Sequence, residues 1–113
     1  MHELSIAENI VKLTEEKISQ YPGKKPVKVI LEIGLLSGID FDALDFAMQS
    51  VVKNTAMENT DIEIIRIEPL AKCRSCGNNF KAVDYLASCP KCSSLDIEFL
   101  QGRELLLRSI ELE

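Results

Sequence analysis

Cys73-Arg-Ser-Cys76 and Cys89-Pro-Lys-Cys92 contain all four cysteines of the chain, and the short polar stretch 77–88 joins them. Two Cys-x-x-Cys pairs at this spacing can bring four thiolates around a single tetrahedral metal ion. The pattern predicts a structural zinc site. It also predicts a small lobe that the metal holds in shape, because few large apolar residues lie between the pairs. Zinc binding would contribute about 10 kcal/mol to the folding free energy of such a lobe.

Other uses of the four cysteines are chemically open. Two disulfides need an oxidising compartment, and the first residues carry no export signal. A redox-active Cys-x-x-Cys is expected once, near a βαβ pattern, whereas here the motif occurs twice. Iron is not separated from zinc by ligand softness or tetrahedral geometry, and another metal could occupy the same sulfur cage. Structural zinc is the interpretation we adopt from the sequence.

The composition describes one domain, or one domain with a small lobe attached. The 113 residues are 46% hydrophobic, which is enough to fill a modest core. The formal net charge of −5 opposes binding to phosphate backbones, so a zinc ribbon that grips nucleic acid is disfavoured. The apolar runs, such as 29–31 and 105–107, are far shorter than a membrane span or a signal peptide needs. We therefore expect a cytoplasmic protein that binds neither nucleic acid nor a membrane.

Hydrophobic periodicity predicts an α+β fold. Two stripes have helical spacing, and three stretches alternate or carry β-branched runs as strands do. In chain order these are a helix over 4–18, a strand over 27–33, a helix over 41–52, a strand over 61–68 and a closing strand over 104–113. The isoleucines of 61–68 change parity midway, which predicts either a bulge or a strand covered on both faces. A further short strand is expected over 96–100.

These elements predict a small three-stranded sheet with two helices on one face, plus an inserted zinc-ribbon-like lobe. We divide the chain accordingly. Residues 1–69 and 101–113 form an α/β domain, and residues 70–100 form the zinc-binding lobe. The α/β domain is expected to stand without the metal, whereas the lobe is not.

The first residues form a second candidate metal site. Met1 supplies an α-amine, His2 supplies a backbone amide and an imidazole, and the backbone amide of Glu3 can replace one of these donors. Nitrogen donors of this kind in a planar set suit Ni(II), with Cu(II) as the chemical rival, whereas zinc does not favour the geometry. A lone terminal histidine is more often simply solvated. The site also requires that Met1 is retained, which the bulky side chain of the second residue favours.

Met1-His2-Glu3, Gly34 with Ser37-Gly38, the two cysteine pairs and Gly102-Arg-Glu-Leu105 together resemble the HypA/HybF family of hydrogenase nickel-incorporation proteins. The resemblance spans essentially the whole chain. It implies a nickel metallochaperone with a structural zinc lobe. Such a protein works beside a hydrogenase accessory GTPase to load nickel into the hydrogenase large subunit, and in some bacteria it also serves urease maturation and its accessory proteins.

The resemblance also assigns roles at the amino terminus. It makes His2 the principal nickel ligand, while Glu3 contributes through its backbone or docks the GTPase, and Asp40 completes the site. Both acids have a structural interpretation as well, because Asp40 suits a helix N-cap and Glu3 the first turn of a helix. Ser93 and Ser94 stand where some relatives carry a histidine, so coupling of the zinc lobe to such a histidine is not carried over to this chain.

Three functions from different classes follow from these observations. The first is nickel delivery without catalysis, since the sequence supplies no nucleophile with a base, no phosphate loop and no paired-carboxylate site. The second is a zinc-stapled protein–protein interaction module whose amino terminus has no metal role. The third is a nucleic-acid-binding zinc ribbon, which the negative charge opposes. Nickel titration of the wild type against an amino-terminal variant separates the first two.

Overall fold

The computed structural model describes residues 3–113, and over that range it confirms the α+β fold predicted from the sequence. The elements are α1 (Glu3–Ile18), β1 (Pro26–Gly34), α2 (Phe41–Val51), β2 (Asp61–Ile67), β3 (Leu70–Cys73), β4 (Asn79–Lys81), β5 (Ile97–Gln101) and β6 (Leu105–Leu112). The strands form two three-stranded sheets with the orders β2-β1-β6 and β4-β3-β5. The predicted three-stranded sheet is therefore present as β2-β1-β6. Along the chain, the cysteine segment lies between β2 and β6.

The two neighbours of β1 run in different directions. At one end of β1 the hydroxyl of Thr60 donates to the carbonyl of Pro26 (3.1 Å), and just past the other end the N–H of Leu35 donates to the carbonyl of Ile67 (3.0 Å). These bonds show that β2 is parallel to β1, and α2 provides the crossover that parallel strands require. β6 is antiparallel to β1, because the residue before β1 exchanges two backbone bonds with the last residue of the chain.

The chain divides into two compact units. The first unit comprises Met1–Leu31, Ile39–Ile64 and Leu107–Glu113, and the second comprises Glu32–Gly38 and Ile65–Leu106. The second unit contains all four cysteines and the whole β4-β3-β5 sheet, so it takes in more of the chain than the predicted lobe over 70–100. That this lobe depends on metal for its order stays a prediction.

The core of the first unit forms where α1 packs against α2, and the buried residues Val29 and Leu31 of β1 belong to the same unit. The buried residues of α1 are spaced as one helical face, namely Ala7, Ile10, Val11 and Thr14. The apolar stripe that predicts this helix also includes Leu4 and Leu13, and it is broader than the buried face. These two residues are 54% and 51% exposed, because they lie at the end of this face and beside it. Thr14 is fully buried, and its hydroxyl has a hydrogen-bond partner because it donates to the carbonyl of Ile10 (2.8 Å).

The strands follow their predicted alternation in the central part of the sheet. Val29, Leu31 and Ile33 are fully buried, as the period of two along β1 requires. In β2 the half-buried positions change parity between Ile64 and Ile65, which confirms the change of parity read from the sequence. Neither helix of the described range is long and apolar enough to cross a membrane.

Candidate metal centres

The two Cys-x-x-Cys loops fold as a matched pair of tight turns in the second unit. In the first loop the N–H of Gly77 donates to the carbonyl of Cys73 (2.8 Å), and in the second the N–H of Ser93 donates to the carbonyl of Cys89 (2.8 Å). Gly77 and Ser93 occupy equivalent positions with φ of 78° and 62°. A left-handed backbone costs a non-glycine residue about 1 kcal/mol, so the second turn is formed against a local penalty.

These turns bring the four cysteine sulfurs into one cluster, which we call the cysteine cluster (Cys73, Cys76, Cys89 and Cys92). All four Sγ atoms lie within 4.8 Å of one another. Cys73 and Cys92 have their sulfurs 3.5 Å apart, those of Cys76 and Cys89 are 3.6 Å apart, and all four thiols are free. A tetrahedral ion held by Zn–S bonds of ~2.3 Å places its sulfurs about 3.8 Å apart, whereas a disulfide needs ~2.05 Å. The donor set therefore fits a tetrahedral metal such as zinc.

The electrostatics of the cluster also favour a bound cation. The backbone N–H of Cys76 lies 3.4 Å from the Cys73 sulfur and lowers the pKa of that thiol. Burial acts to raise the pKa of Cys89, but the N–H of Cys92 and other hydrogen bonds outweigh it and lower the value to about 6. The N–H of Ser94 favours ionisation of Cys92, yet the neighbouring thiols and burial raise its pKa to about 12. Four sulfurs this close cannot all ionise unless a cation offsets their repulsion.

Further contacts join the two loops, and sequence reasoning had missed them. The side-chain amide of Asn78, at the end of the first loop, lies 3.8 Å from the sulfur of Cys89 in the second. The hydroxyls of Ser75 and Ser94 lie 3.0 Å apart. These residues carry no signal in the sequence, since each contact depends on bringing together segments that are well separated along the chain.

An aromatic contact fixes the long loop between the cysteine pairs. Tyr85 packs edge-on against Phe99 of β5, with ring centroids 5.4 Å apart, and its hydroxyl donates to the carbonyl of Leu36. The guanidinium of Arg103 covers the same Phe99 ring at 5.5 Å. All of these residues belong to the second unit. These contacts tie the loop to β5 and to the segment 32–38 within the second unit.

The structure brings two of the amino-terminal candidates together in the first unit. The backbone N–H of Asp40 donates to Oε2 of Glu3 (3.1 Å), although 37 positions separate the two residues. Asp40 is the N-cap of α2, with φ −80° and ψ 112°, and its Oδ1 accepts the N–H of Ala43 (3.0 Å). The bond from Asp40 stabilises the Glu3 carboxylate and, with the glutamate's own N–H, lowers its pKa. Met1 and His2, the other predicted members of this site, lie outside the described residues.

The fold and the cysteine cluster define a class of protein: a small α+β protein that carries a four-cysteine metal-binding unit of the zinc-ribbon type. A closed set of four thiolates leaves no open coordination position, so this cluster is suited to holding structure rather than to catalysis. A family model described as "Hydrogenase/urease nickel incorporation, metallochaperone, hypA" matches residues 1–112. The chain belongs to the HypA family of hydrogenase/urease nickel-incorporation metallochaperones. The family consists of maturation factors, so the chain is not an enzyme.

Individual relatives agree with this assignment over nearly all of their length. The hydrogenase maturation factor HypA of Chlorobium phaeobacteroides is 33% identical over 113 residues, which is 100% of both chains. That of Rippkaea orientalis is 36% identical and covers 100% of this chain and 96% of its own. The solution structure of the nickel metallochaperone HypA from Helicobacter pylori matches with a TM-score of 0.69 at 26% identity, covering 99% of this chain and 97% of its own. A second HypA solution structure matches with a TM-score of 0.73 at 28% identity, over 100% of this chain and 97% of its own.

Proposed function

We propose that the chain binds Ni(II) at its amino terminus and delivers it during maturation of [NiFe] hydrogenase, with urease as a second destination. The family description supports nickel handling and names both enzymes. The observation that carries the choice of site is the contact between Glu3 and Asp40. This contact joins the N-cap of α2 to Glu3, which directly follows Met1 and His2 in the sequence, and it supports Asp40 as a further donor.

Each residue of the amino-terminal site (Met1, His2, Glu3 and Asp40) has a defined role in this proposal. The imidazole of His2 is the principal ligand, and the amine of Met1 and the backbone amide nitrogen of His2 join it in a planar nitrogen set, in which the backbone nitrogen of Glu3 can replace one donor. The side chain of Glu3 accepts the N–H of Asp40, which orients both residues. A carboxylate has two oxygens, so Asp40 can cap α2 through Oδ1 and offer its other oxygen to the ion.

Release from such a site follows from its chemistry. Imidazole and amine must both be deprotonated to bind, with ordinary pKa values of ~6.5 and ~7.7, so nickel affinity falls as the pH falls. A terminal site with few ligands also yields its ion to a partner that offers more of them. We propose the hydrogenase accessory GTPase and the hydrogenase large subunit as these partners, with urease accessory proteins as further ones, all within the cytoplasm. Membership in a hydrogenase/urease maturation family supports these partners.

We further propose that the cysteine cluster holds a structural Zn(II) through Cys73, Cys76, Cys89 and Cys92. The sulfur spacing and the absence of an open ligand position support this assignment over an exchange site. The ion would neutralise the thiolates and fix the two turns. The cluster would then hold the second unit in shape while nickel exchanges at the amino terminus.

Nickel titration by calorimetry tests the amino-terminal site. The titrated proteins are the untagged wild type, His2→Ala and a form with two extra residues ahead of Met1. We expect weaker binding in both altered forms, because one loses the imidazole and the other moves the free amine away from His2. Equal affinity in all three would refute the terminal site and favour the alternative function, a zinc-stapled interaction module without nickel delivery. Zinc and nickel are measured together by elemental analysis.

A single substitution, Asp40→Asn, separates the two roles of Asp40. Asparagine caps a helix about as well as aspartate but brings no negative charge and a weaker metal donor. If Asp40 is a nickel ligand, Asp40→Asn lowers nickel affinity and leaves the unfolding free energy close to that of the wild type. If Asp40 is only an N-cap, Asp40→Asn has the wild-type nickel affinity.

A further inference from the structure

The outer edge of β6 borders a groove that the nickel and zinc sites do not use, and that the proposed function does not explain. The groove has a volume of about 290 Å³ and lies against the last turn of α1 in the first unit. Its lining residues are Lys17, Ile18, Tyr21, Leu107, Arg108, Ser109, Ile110 and Leu112. We call it the β6 groove. β6 ends the sheet order β2-β1-β6, so in the described part of the chain no strand pairs with its outer side.

The lining shows that the groove follows the strand's edge rather than one face of the sheet. Side chains of a strand alternate between the two faces, so a groove on one face is lined by every second residue. Here the four consecutive residues 107–110 all border the groove. Consecutive residues reach the same space only along the edge, where the backbone N–H and C=O groups that do not face β1 point outward. The groove therefore offers backbone hydrogen bonds as well as side-chain contacts.

The charge of the groove is opposite to that of the protein. The chain has a formal net charge of −5, yet the charged side chains lining the groove, among the residues that the structure describes, are both cations: Lys17 and Arg108. Glu111 lies on the same strand but is not part of the lining. Most of the other lining side chains are apolar, and they include Tyr21, which is 54% exposed. Acidic groups and apolar side chains on one extended segment match this surface.

We propose that the β6 groove binds an extended acidic segment of a partner protein, which adds as a strand beside β6. Its backbone pairs with the outer edge of β6, its apolar residues enter the groove and its acidic residues lie against Lys17 and Arg108. A second copy of this chain is a poorer occupant. A two-fold contact would set the same cationic patch against its own image, and basic side chains on an edge discourage pairing with a like-charged edge. The proposal does not depend on nickel binding.

Synthetic peptides test the proposal on the zinc-loaded full chain. The probe is a short peptide that alternates glutamate with valine, and its control carries lysine in place of glutamate. A second control is a pair of glutamate peptides with every second backbone nitrogen methylated, one at the odd positions and the other at the even positions. A strand bonds its neighbour only through alternate N–H groups, so one methylated register removes these bonds and the other leaves them intact. Binding is followed by the amide chemical shifts of the protein at millimolar peptide.

We expect the glutamate peptide to shift the amides of 107–112, and its affinity to fall with added salt. One methylated register should abolish the shifts while the other retains them, and the lysine peptide should leave them unchanged. The double substitution Lys17→Glu with Arg108→Glu should weaken binding by roughly tenfold, as the loss of two favourable charge contacts implies. The matched control is Lys12→Glu with Lys53→Glu, which makes the same change in net charge at cations outside the groove.

Three results would overturn the proposal. The first is no shift at 107–112 with the glutamate peptide. The second is equal binding of the glutamate and lysine peptides, or of both methylated registers, which would show that strand addition and charge play no part. The third is concentration-dependent shifts of the same amides without any peptide, which would assign the edge to a second copy of this chain.

Discussion

Replacing Gly34 with alanine is expected to destabilise the second unit severely. Gly34 ends β1, and a Cβ built on it would lie 2.0 Å from the carbonyl oxygen of Gly102 and 2.5 Å from the backbone nitrogen of Arg103. These are backbone atoms, so no side chain can rotate away. The two segments would have to separate by about 1 Å before the contact reached even 3.0 Å.

That separation would break hydrogen bonds as well. The N–H of Gly34 donates to the carbonyl of Glu104 (2.8 Å), and the N–H of Leu36 donates to the carbonyl of Gly102 (2.7 Å). Overpacking costs about 1–3 kcal/mol, and each buried backbone group left without a partner costs about 1–3 kcal/mol. We therefore expect Gly34→Ala to lower the unfolding free energy by roughly 3–5 kcal/mol. Urea unfolding of the zinc-loaded protein, followed by circular dichroism, measures the change.

Gly38→Ala is the matched control. Gly38 lies in the same unit and has φ of 82°, but a Cβ there would meet nothing within 4 Å. Its substitution should cost only the strain of a left-handed backbone, about 1 kcal/mol. The reasoning is refuted if Gly34→Ala costs no more than Gly38→Ala, since the close backbone approach would then have no energetic consequence.

Three further predictions concern the two metal sites. Cys73→Ser should lose the proposed zinc and disorder residues 70–100 while the α/β part stays folded, and removal of metal from the wild type by a chelator should have the same effect. Amide spectra and elemental analysis measure both changes, and global unfolding would contradict the division of the chain. Asp40→Ala should lower the unfolding free energy by about 1 kcal/mol through loss of the cap on Ala43, whereas Asp40→Asn should change it little; thermal unfolding measures both. The lowered pKa of Glu3 means that its ionised form stabilises the fold above its usual value of 4.5, and that this contribution disappears as the pH falls through the lowered pKa. The difference in unfolding free energy between wild type and Glu3→Gln should therefore shrink below pH 4.5, and a constant difference from neutral to acidic pH would show that the bond from Asp40 does not form.

Local patterns in the sequence were enough to predict much of the fold. The spacing of apolar residues located both helices and the three strands of the β2-β1-β6 sheet, because burial on one face imposes a period on the residues themselves. The short strands β3 and β4 were not predicted. β3 begins directly after Pro69, a residue with no backbone N–H to donate to a sheet. It exists because Ala71 pairs with Phe80 on one side and Phe99 on the other. Pairing with distant residues outweighed the local signal.

The sequence by itself determined the cysteine cluster. Each Cys-x-x-Cys pair lies within one tight turn, and the geometry of such a turn depends on only a few consecutive residues. The sequence also contains the glycines of the family resemblance, Gly34, Gly38 and Gly102, but it does not show why glycine is needed there. Only the tertiary structure revealed that Gly34 lies against Gly102, that Glu3 meets the N-cap of α2, and that β6 has an open cationic edge. These relations join residues tens of positions apart, and they are decided by how the elements pack, which no local period or spacing encodes.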